Sequence, residues 1–346
     1  MTDPIAVTLA YHARTKHHLD RYAAGPGSLD WDAQPDPFRD WVGARATPLP
    51  RAVMASHLLW PQLDQARPAH DFSPDSLGSL LRLCAGLTAW KEYGGSRWSL
   101  RAHPSSGNLH PTETWLITQQ VAGLENGLHH YQPRDHSLEH RAWNGDGRPG
   151  VWLGYSSIPW REAWKYGERA FRYCQLDLGH VLAALAYAAA LHGWQPRLLG
   201  LEPAAVASRL GLDRPGDFAD VEAEEGEVIV SLLPDDTPPP TWRHWTGRPS
   251  LLDPKPMYQW PVIEEVAAAT CGLPPAAQPL PVRAAKQVAS DSNLPATQVI
   301  LRRRSAQAFD GKSMLPRDVF RRLLAALLPG GAPVWRLWPH APRLHP

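Results

Sequence analysis

The chain has 346 residues, 43% of them hydrophobic and 20% charged, with 36 prolines and 16 tryptophans. That length and apolar content suffice for one large domain or two ordinary ones. Thirty-five basic residues against 34 acidic ones leave a net charge of +1, which excludes a global field for nucleic acid or an anionic membrane surface.

Cys84, Cys174 and Cys271 are widely spaced and odd in number, so they spell neither a disulfide framework nor a metal site, and they fit a reducing cytoplasm. The opening MTDPIAVTLAYHARTKHH lacks the apolar stretch of a signal peptide. No uninterrupted apolar run is long enough to cross a bilayer, so a cytoplasmic chain without membrane or nucleic-acid partners is expected.

In chain order, 7–22 reads as a short helix whose His12, His17 and His18 lack the partner pattern of a metal site. Residues 25–50 are rich in Pro and Gly and read as a long loop. A helix follows, capped by Ser73 and opened by Pro74, with Leu77, Leu80, Leu81 and Cys84 on one face. It leads through WKEYGGSRWSLRA into a proline-bounded loop, 104–111, that holds Ser105, Ser106, Gly107, Asn108 and His110. Two hydroxyls, an amide and free backbone N–H groups in so short a loop suit a polar planar cofactor or a phosphate. An ordinary helix-to-strand connection is the plainer alternative.

ETWLITQQV and GLHHYQP read as two strands joined by a turn at Glu125–Gly127. His129 and His130 are neighbours on the second strand and point to opposite faces, so they cannot readily share one metal. Residues 176–192 form an Ala-rich apolar helix ended by Gly193 and interrupted by Asp177 and His180. An amphipathic segment precedes it, with Arg161, Lys165, Glu168, Arg169 and Arg172 among Trp164, Tyr166, Phe171 and Tyr173. A helix at 201–212 and a strand at 226–234 come next, followed by proline-rich sequence to about 295 that reads as a linker with a short helix at 262–270. The last segment carries ILRRRSAQAF and then an amphipathic helix, MLPRDVFRRLLAALL.

PSSGNLHP resembles the Pro-Ser-Ser/Ala-x-Asn-x-Gln-Pro loop of the FMN-dependent nitroreductase family, with His110 in the place of Gln. WKYG, RAFRY and DLGH, in that order before an Ala-rich helix, resemble the SagB-type dehydrogenases, which include azoline oxidases of peptide-modifying systems. The resemblance implies an α+β fold with a central, mostly antiparallel sheet flanked by helices. It implies FMN as cofactor, with Pro104, Ser105, Ser106 and Asn108 against the flavin. It also implies that Lys165 and Tyr166 are the catalytic pair, since hydride removal requires a nearby proton acceptor. Arg14, Thr15 and Lys16 stand where the family's Arg-Arg-Ser-x-Arg segment grips the FMN phosphate.

Arg303, Arg304 and Ser305 resemble a second copy of that opening segment, with Gln307 in place of its last Arg. The implied organisation is a nitroreductase-like module over 1–240, a linker over 241–294 and the start of an incomplete second module over 295–346. About 50 residues cannot build an independent core, so the second segment is expected to complete a flavin site on the first module, as a pseudo-dimer or through homodimerisation. The implied function is hydride transfer between flavin and a peptide azoline or a small organic substrate. No dinucleotide fingerprint is present, so NAD(P)H would bind only transiently over the flavin. The alternative is a degenerate module that keeps the fold and docks a peptide or partner enzyme.

Overall fold

The computed structural model describes residues 3–272 and 292–337, apart from Ser56, Asp146, Met257, Gln307 and 329–331. Helix α1 (Pro4–Thr15) starts where the Asp3 carboxylate accepts the Ile5 N–H at 3.0 Å. It stops at Thr15 rather than running to residue 22, because Lys16 turns to extended backbone. Strands β1 (Trp41–Val42) and β2 (Arg45–Pro48) follow the expected loop. In α2 (Pro74–Cys84) the Ser73 and Ser76 hydroxyls each accept the other's backbone N–H, at 3.2 and 3.0 Å.

The passage into the loop is a hairpin, β3 (Leu87–Tyr93) and β4 (Ser96–Arg101). Gly94 and Gly95, both at positive φ (57° and 83°), make its two-residue turn. The expected strand pair is β5 (Thr112–Gln119) and β6 (Gly127–Gln132), and the chain adds β7 (Ser137–Trp143) and β8 (Gly150–Ser157). Next come α3 (Pro159–Tyr166), a tight turn at Gly167–Arg169, and α4 (Ala170–Leu191). The remaining elements are β9 (Arg197–Leu198), α5 (Pro203–Leu210), β10 (Glu225–Ser231), β11 (His244–Trp245), β12 (Arg248–Pro249), α6 (Pro261–Ala269), α7 (Ala296–Arg302), α8 (Arg317–Ala326) and α9 (Pro333–Leu337).

The eight-stranded sheet runs β11-β7-β6-β5-β8-β10-β9, with β2 also on β7, and every pairing among the described residues is antiparallel. Strands β5, β6 and β8 are buried along their whole length, because both faces are covered. Leu116, Leu153 and Tyr155 pack on one face with α2 and α4. Trp115, Ile117 and Trp152 pack on the other with Trp41, Leu210 and Ile229. This is the expected α+β architecture.

The helical run Pro159–Leu191 is longer than the 176–192 expected from sequence, and by length and composition alone it would cross a membrane. In the fold its inner side, Val181, Leu182 and Leu185, fills the core against the sheet. Residues 241–272, expected as linker, lie along the molecule: β11 pairs with β7, β12 pairs with β1, and Trp242 and Val266 are buried. The rest of that stretch, 273–291, lies outside the described residues.

Candidate functional site

The loop 104–111 meets α3 and α4 at one corner of the sheet. Its backbone is unusual: Gly107, Asn108 and His110 all lie at positive φ, 59°, 61° and 53°. Such angles cost a non-glycine residue roughly 1 kcal/mol or more and cluster at functional sites. The contacts that hold the loop explain how it persists. Ser105 Oγ donates to Asp177 Oδ2 at 2.6 Å, Ser106 Oγ to Oδ1 at 2.8 Å, and the Ser106 N–H reaches both oxygens at 3.0 Å. The His110 N–H donates to Ser105 Oγ at 2.9 Å. Asn108 Nδ2 donates to Ser99 O at 2.8 Å, which leaves Asn108 Oδ1 to accept from His110 Nε2 at 3.2 Å.

The expected cofactor ligands Ser105, Ser106 and Asn108 therefore have internal partners, and Asp177 on α4 gathers the two serines. Burial raises the Asp177 carboxyl above its ordinary value, and the serine donors pull it back. Two imidazole nitrogens at this corner, His103 Nε2 and His110 Nδ1, are buried without a hydrogen-bond partner among the described residues. Burial, reinforced by Arg101, lowers both imidazoles, His103 to about 3, so both are neutral near pH 7. Because His103 Nδ1 faces Pro104 O at 3.2 Å and His110 Nε2 faces Asn108 Oδ1, the free nitrogens are acceptors.

Lys165 and Tyr166 close α3. A β-carbon at Gly107 would lie 2.6 Å from Tyr166 Oη, so the phenol covers the loop where only glycine leaves room. Tyr166 also packs on Tyr173, ring centroids 4.4 Å apart. Its phenol is pushed up to about 12, by burial first and then by Glu162, Tyr173 and Asp177. Lys165 Nζ stands 5.8 Å from the ring centroid of Trp31, which is edge-on to Trp164. Beneath the loop, Arg161 bonds His110 O at 2.8 Å and pairs with Glu113 at the start of β5.

The expected phosphate-binding residues fall into two groups. Arg14 forms a two-pronged pair with Glu168, and buried Thr15 donates to Tyr11 O at 2.7 Å and accepts from Arg172 at 2.9 Å. Arg14 thereby ties α1 to the turn after Tyr166 and Thr15 ties it to α4, while Lys16 is exposed. The second group lies along the hairpin that leads into the loop. Arg303 Nη2 donates to Ala102 O at 3.2 Å, two residues before Pro104, and Arg304 Nη2 donates to Thr88 O at 3.3 Å. Ser305 is exposed. For a flavin, the chemistry present is thus a guanidinium at the loop, backbone polar groups around Gly107, two acceptor imidazoles and an aromatic phenol. The serine hydroxyls and Arg14 are already engaged. The others are the groups a flavin at this corner would have to use.

Asp177 belongs to the DLGH motif, and its legible signal in the sequence is a charge inside an apolar helix. Glu162, also at this corner, had no signal, since its position matches an ordinary helix-opening carboxylate.

No family model matches the chain. Over 144 residues it is 27% identical to the trifolitoxin-processing protein TfxB of Rhizobium leguminosarum bv. trifolii, covering 36% of this chain and 39% of that protein. Among solved structures, a protein described as a nitroreductase from Anabaena variabilis superposes with a TM-score of 0.61 at 24% identity, covering 89% of this chain and 65% of that one. A microcin synthetase complex McbBCD from E. coli, solved with truncated pro-MccB17, matches at a TM-score of 0.37 and 18% identity, too low to carry an argument. The chain thus spans less than two thirds of the length of TfxB and of the Anabaena protein. The likeness to the Anabaena structure shows the fold: this chain has the nitroreductase architecture.

Proposed function

We propose that the chain is an FMN-dependent oxidoreductase of the SagB-type dehydrogenase group, acting on a peptide azoline or a small organic substrate. The observation that carries this reading is the placement of Tyr166 over Gly107, with Lys165 beside it, on the loop that resembles the flavin loop of the family. The partial likeness to a trifolitoxin-processing protein supports a peptide as substrate. When bound, the flavin supplies two-electron hydride chemistry. Arg303, Arg304 and the backbone around Gly107 would hold it. Tyr166 and Lys165 handle the proton that accompanies hydride transfer, a role worth typically 10²–10⁴ in rate. The bond from Arg303 to Ala102 O, two residues before Pro104, supports a cofactor-holding role for the segment that we read as the start of a second module.

The second reading is a degenerate module that binds a peptide or partner without redox chemistry. The engagement of Ser105, Ser106 and Arg14 with Asp177 and Glu168 favours it. Visible absorbance of the purified full chain, before and after addition of FMN, separates the two. The oxidoreductase reading expects a bound flavin spectrum, weakened in Arg303→Ala, with turnover lost and flavin retained in Lys165→Ala. A chain that stays colourless in the presence of FMN supports the binding protein instead.

A further inference from the structure

Residues 25–36, part of the expected long loop, run past α3 as a strap fixed at both ends. At one end the chain comes so close to Gly167 that a β-carbon there would lie 2.9 Å from Gly25 Cα. At the other, Arg161 Nε donates to Asp36 O at 3.0 Å, and the Asp36 N–H donates to Leu252 O at 3.1 Å. Between the ends the strap makes one short helical turn, Trp31–Ala33, in which the Asp30 carboxylate accepts the Asp32 N–H at 3.1 Å. Such a side-chain-to-backbone bond fixes the local chain while leaving it at the surface.

The turn carries one large side chain. Trp31 is 62% exposed, and its contacts are with α3. Its ring is edge-on to Trp164, centroids 5.4 Å apart, and Lys165 Nζ lies 5.8 Å from its centroid. The same ammonium is 5.6 Å from the Tyr166 ring, and among the described residues Lys165 forms no ion pair. Two aromatic rings thus attract the cation where a carboxylate would otherwise do so. From the loop outward the contacts run Gly107, Tyr166, Lys165, Trp31. Trp31 is the solvent end of that series. A single exposed tryptophan is ordinary on a protein surface. This one differs because its backbone is pinned on both sides and its indole is held beside the lysine and the phenol that close α3.

We propose that Trp31 is a substrate-recognition residue: its open indole surface stacks on the planar ring of the substrate and holds that ring beside Lys165 and Tyr166. The substrate class rests on the oxidoreductase reading, in which a peptide azoline, a flat five-membered ring with a C=N bond, is oxidised. An indole offers such a ring a broad surface for offset stacking, whereas the linear cysteine or serine side chain from which an azoline is built has no plane to stack. Trp31 therefore selects the closed ring over its open precursor before any bond changes. A flavin is also a flat ring, but the loop that resembles the flavin loop is met by Tyr166 at Gly107, while Trp31 meets Trp164 and Lys165.

The test is a ligand-observed NMR titration of the full chain, with FMN added, using a short peptide that carries one thiazoline and the same peptide with the unmodified cysteine. The wild type should bind the thiazoline peptide roughly three- to ten-fold more tightly. Trp31→Ala and Trp31→Leu should both erase that preference, Trp31→Phe should keep most of it, and the cysteine peptide should bind equally to all four chains. Leucine keeps apolar bulk without a ring, so it separates stacking from burial, and its Tm should stay within about 2 °C of the wild type. Three results overturn the proposal: no binding of the thiazoline peptide by the wild type, a preference that survives in Trp31→Leu, or a Trp31→Leu chain that loses FMN absorbance or several degrees of Tm. In that last case the indole belongs to the cofactor cradle or pins the strap. The oxidoreductase reading fails separately. A colourless chain that still prefers the thiazoline peptide through Trp31 keeps the proposal and sinks that reading, whereas an active flavin-bearing chain without the preference does the reverse.

Discussion

Both ring nitrogens of His130 face carboxylates, Glu113 Oε2 at 2.9 Å and Glu139 Oε2 at 2.7 Å, beneath Trp41 and Trp115. Burial by itself would lower the imidazole, but the two acids raise it to about 9. The sign follows from linkage: the folded state binds the His130 proton more tightly than the unfolded chain does. Its stabilisation is therefore complete below about pH 6.5 and is lost as pH rises through 9. The full effect is on the order of 3 kcal/mol. Glu225, raised to about 7 by burial and by Glu227, tilts stability the same way. Urea unfolding of the wild type and of His130→Gln should show a stability gap that narrows from pH 6 to pH 9.5. A gap independent of pH would mean that His130 is neutral in the fold. Alternation on β6 predicts that His129 and His130 face opposite ways, and they do: His129 stacks on His140, ring centroids 4.7 Å apart. The carboxylates that make His130 a cation come from β5 and β7, and no local pattern reveals that pairing.

The α3–α4 corner turns at Gly167, where φ is 54° and ψ is −129°. A β-carbon there would lie 2.9 Å from Gly25 Cα and 3.0 Å from the Trp260 ring. Gly179, in the exposed part of α4, has nothing within 4 Å of its β-carbon position and weakens the helix by about 1 kcal/mol relative to alanine. Gly167→Ala should lower Tm by several degrees, from strain of roughly 1–3 kcal/mol. Gly179→Ala should raise Tm by about 1–3 °C, and differential scanning calorimetry checks both. Equal losses would show that the open side of α4 is packed in solution. Helices α2 and α4 were legible because each combines apolar periodicity with a clear stop or cap. The hairpin β3–β4 and strand β8 were not: the first is half-exposed and weakly alternating, and the second, VWLGYSS, is buried on both faces and shows no period of two. The site was legible by motif, but motifs name residues and leave their partners unnamed. Ser105 and Ser106 were singled out, while the carboxylate they bind lies 72 and 71 residues away.

At the scale of the molecule, the chain after residue 292 divides in its behaviour. The Trp60 N–H donates to Leu294 O at 3.0 Å, and the Ala296 N–H to Leu58 O at 2.7 Å. Ala296 is fully buried, and Ile300 and Leu301 pack on the cluster that holds α2 and α4. Leu337 of α9 enters the same core, and Arg336 donates to Asp64 O at 2.9 Å. Between them, α8 buries none of its residues: Phe320, Leu323 and Leu324 are about half exposed, and Phe309 and Met314 before them more so. The docked pieces join the core cluster of α2 and α4 and carry Arg303 to Ala102 O, so they belong to the stability of that core, whereas α8 contributes little to it. A charge at a buried alanine costs several kcal/mol unless the segment lets go. Ala296→Asp should therefore lower Tm by several degrees or release 296–337 to protease. The double variant Phe320→Ser, Leu323→Ser should leave Tm within about 1 °C, as expected for exposed positions. If instead the α8 variant unfolds the chain and the Ala296 variant does not, the apolar side of α8 is covered in solution and the docking of α7 is incidental. That outcome would move the search for what stabilises that core from α7 to whatever covers α8.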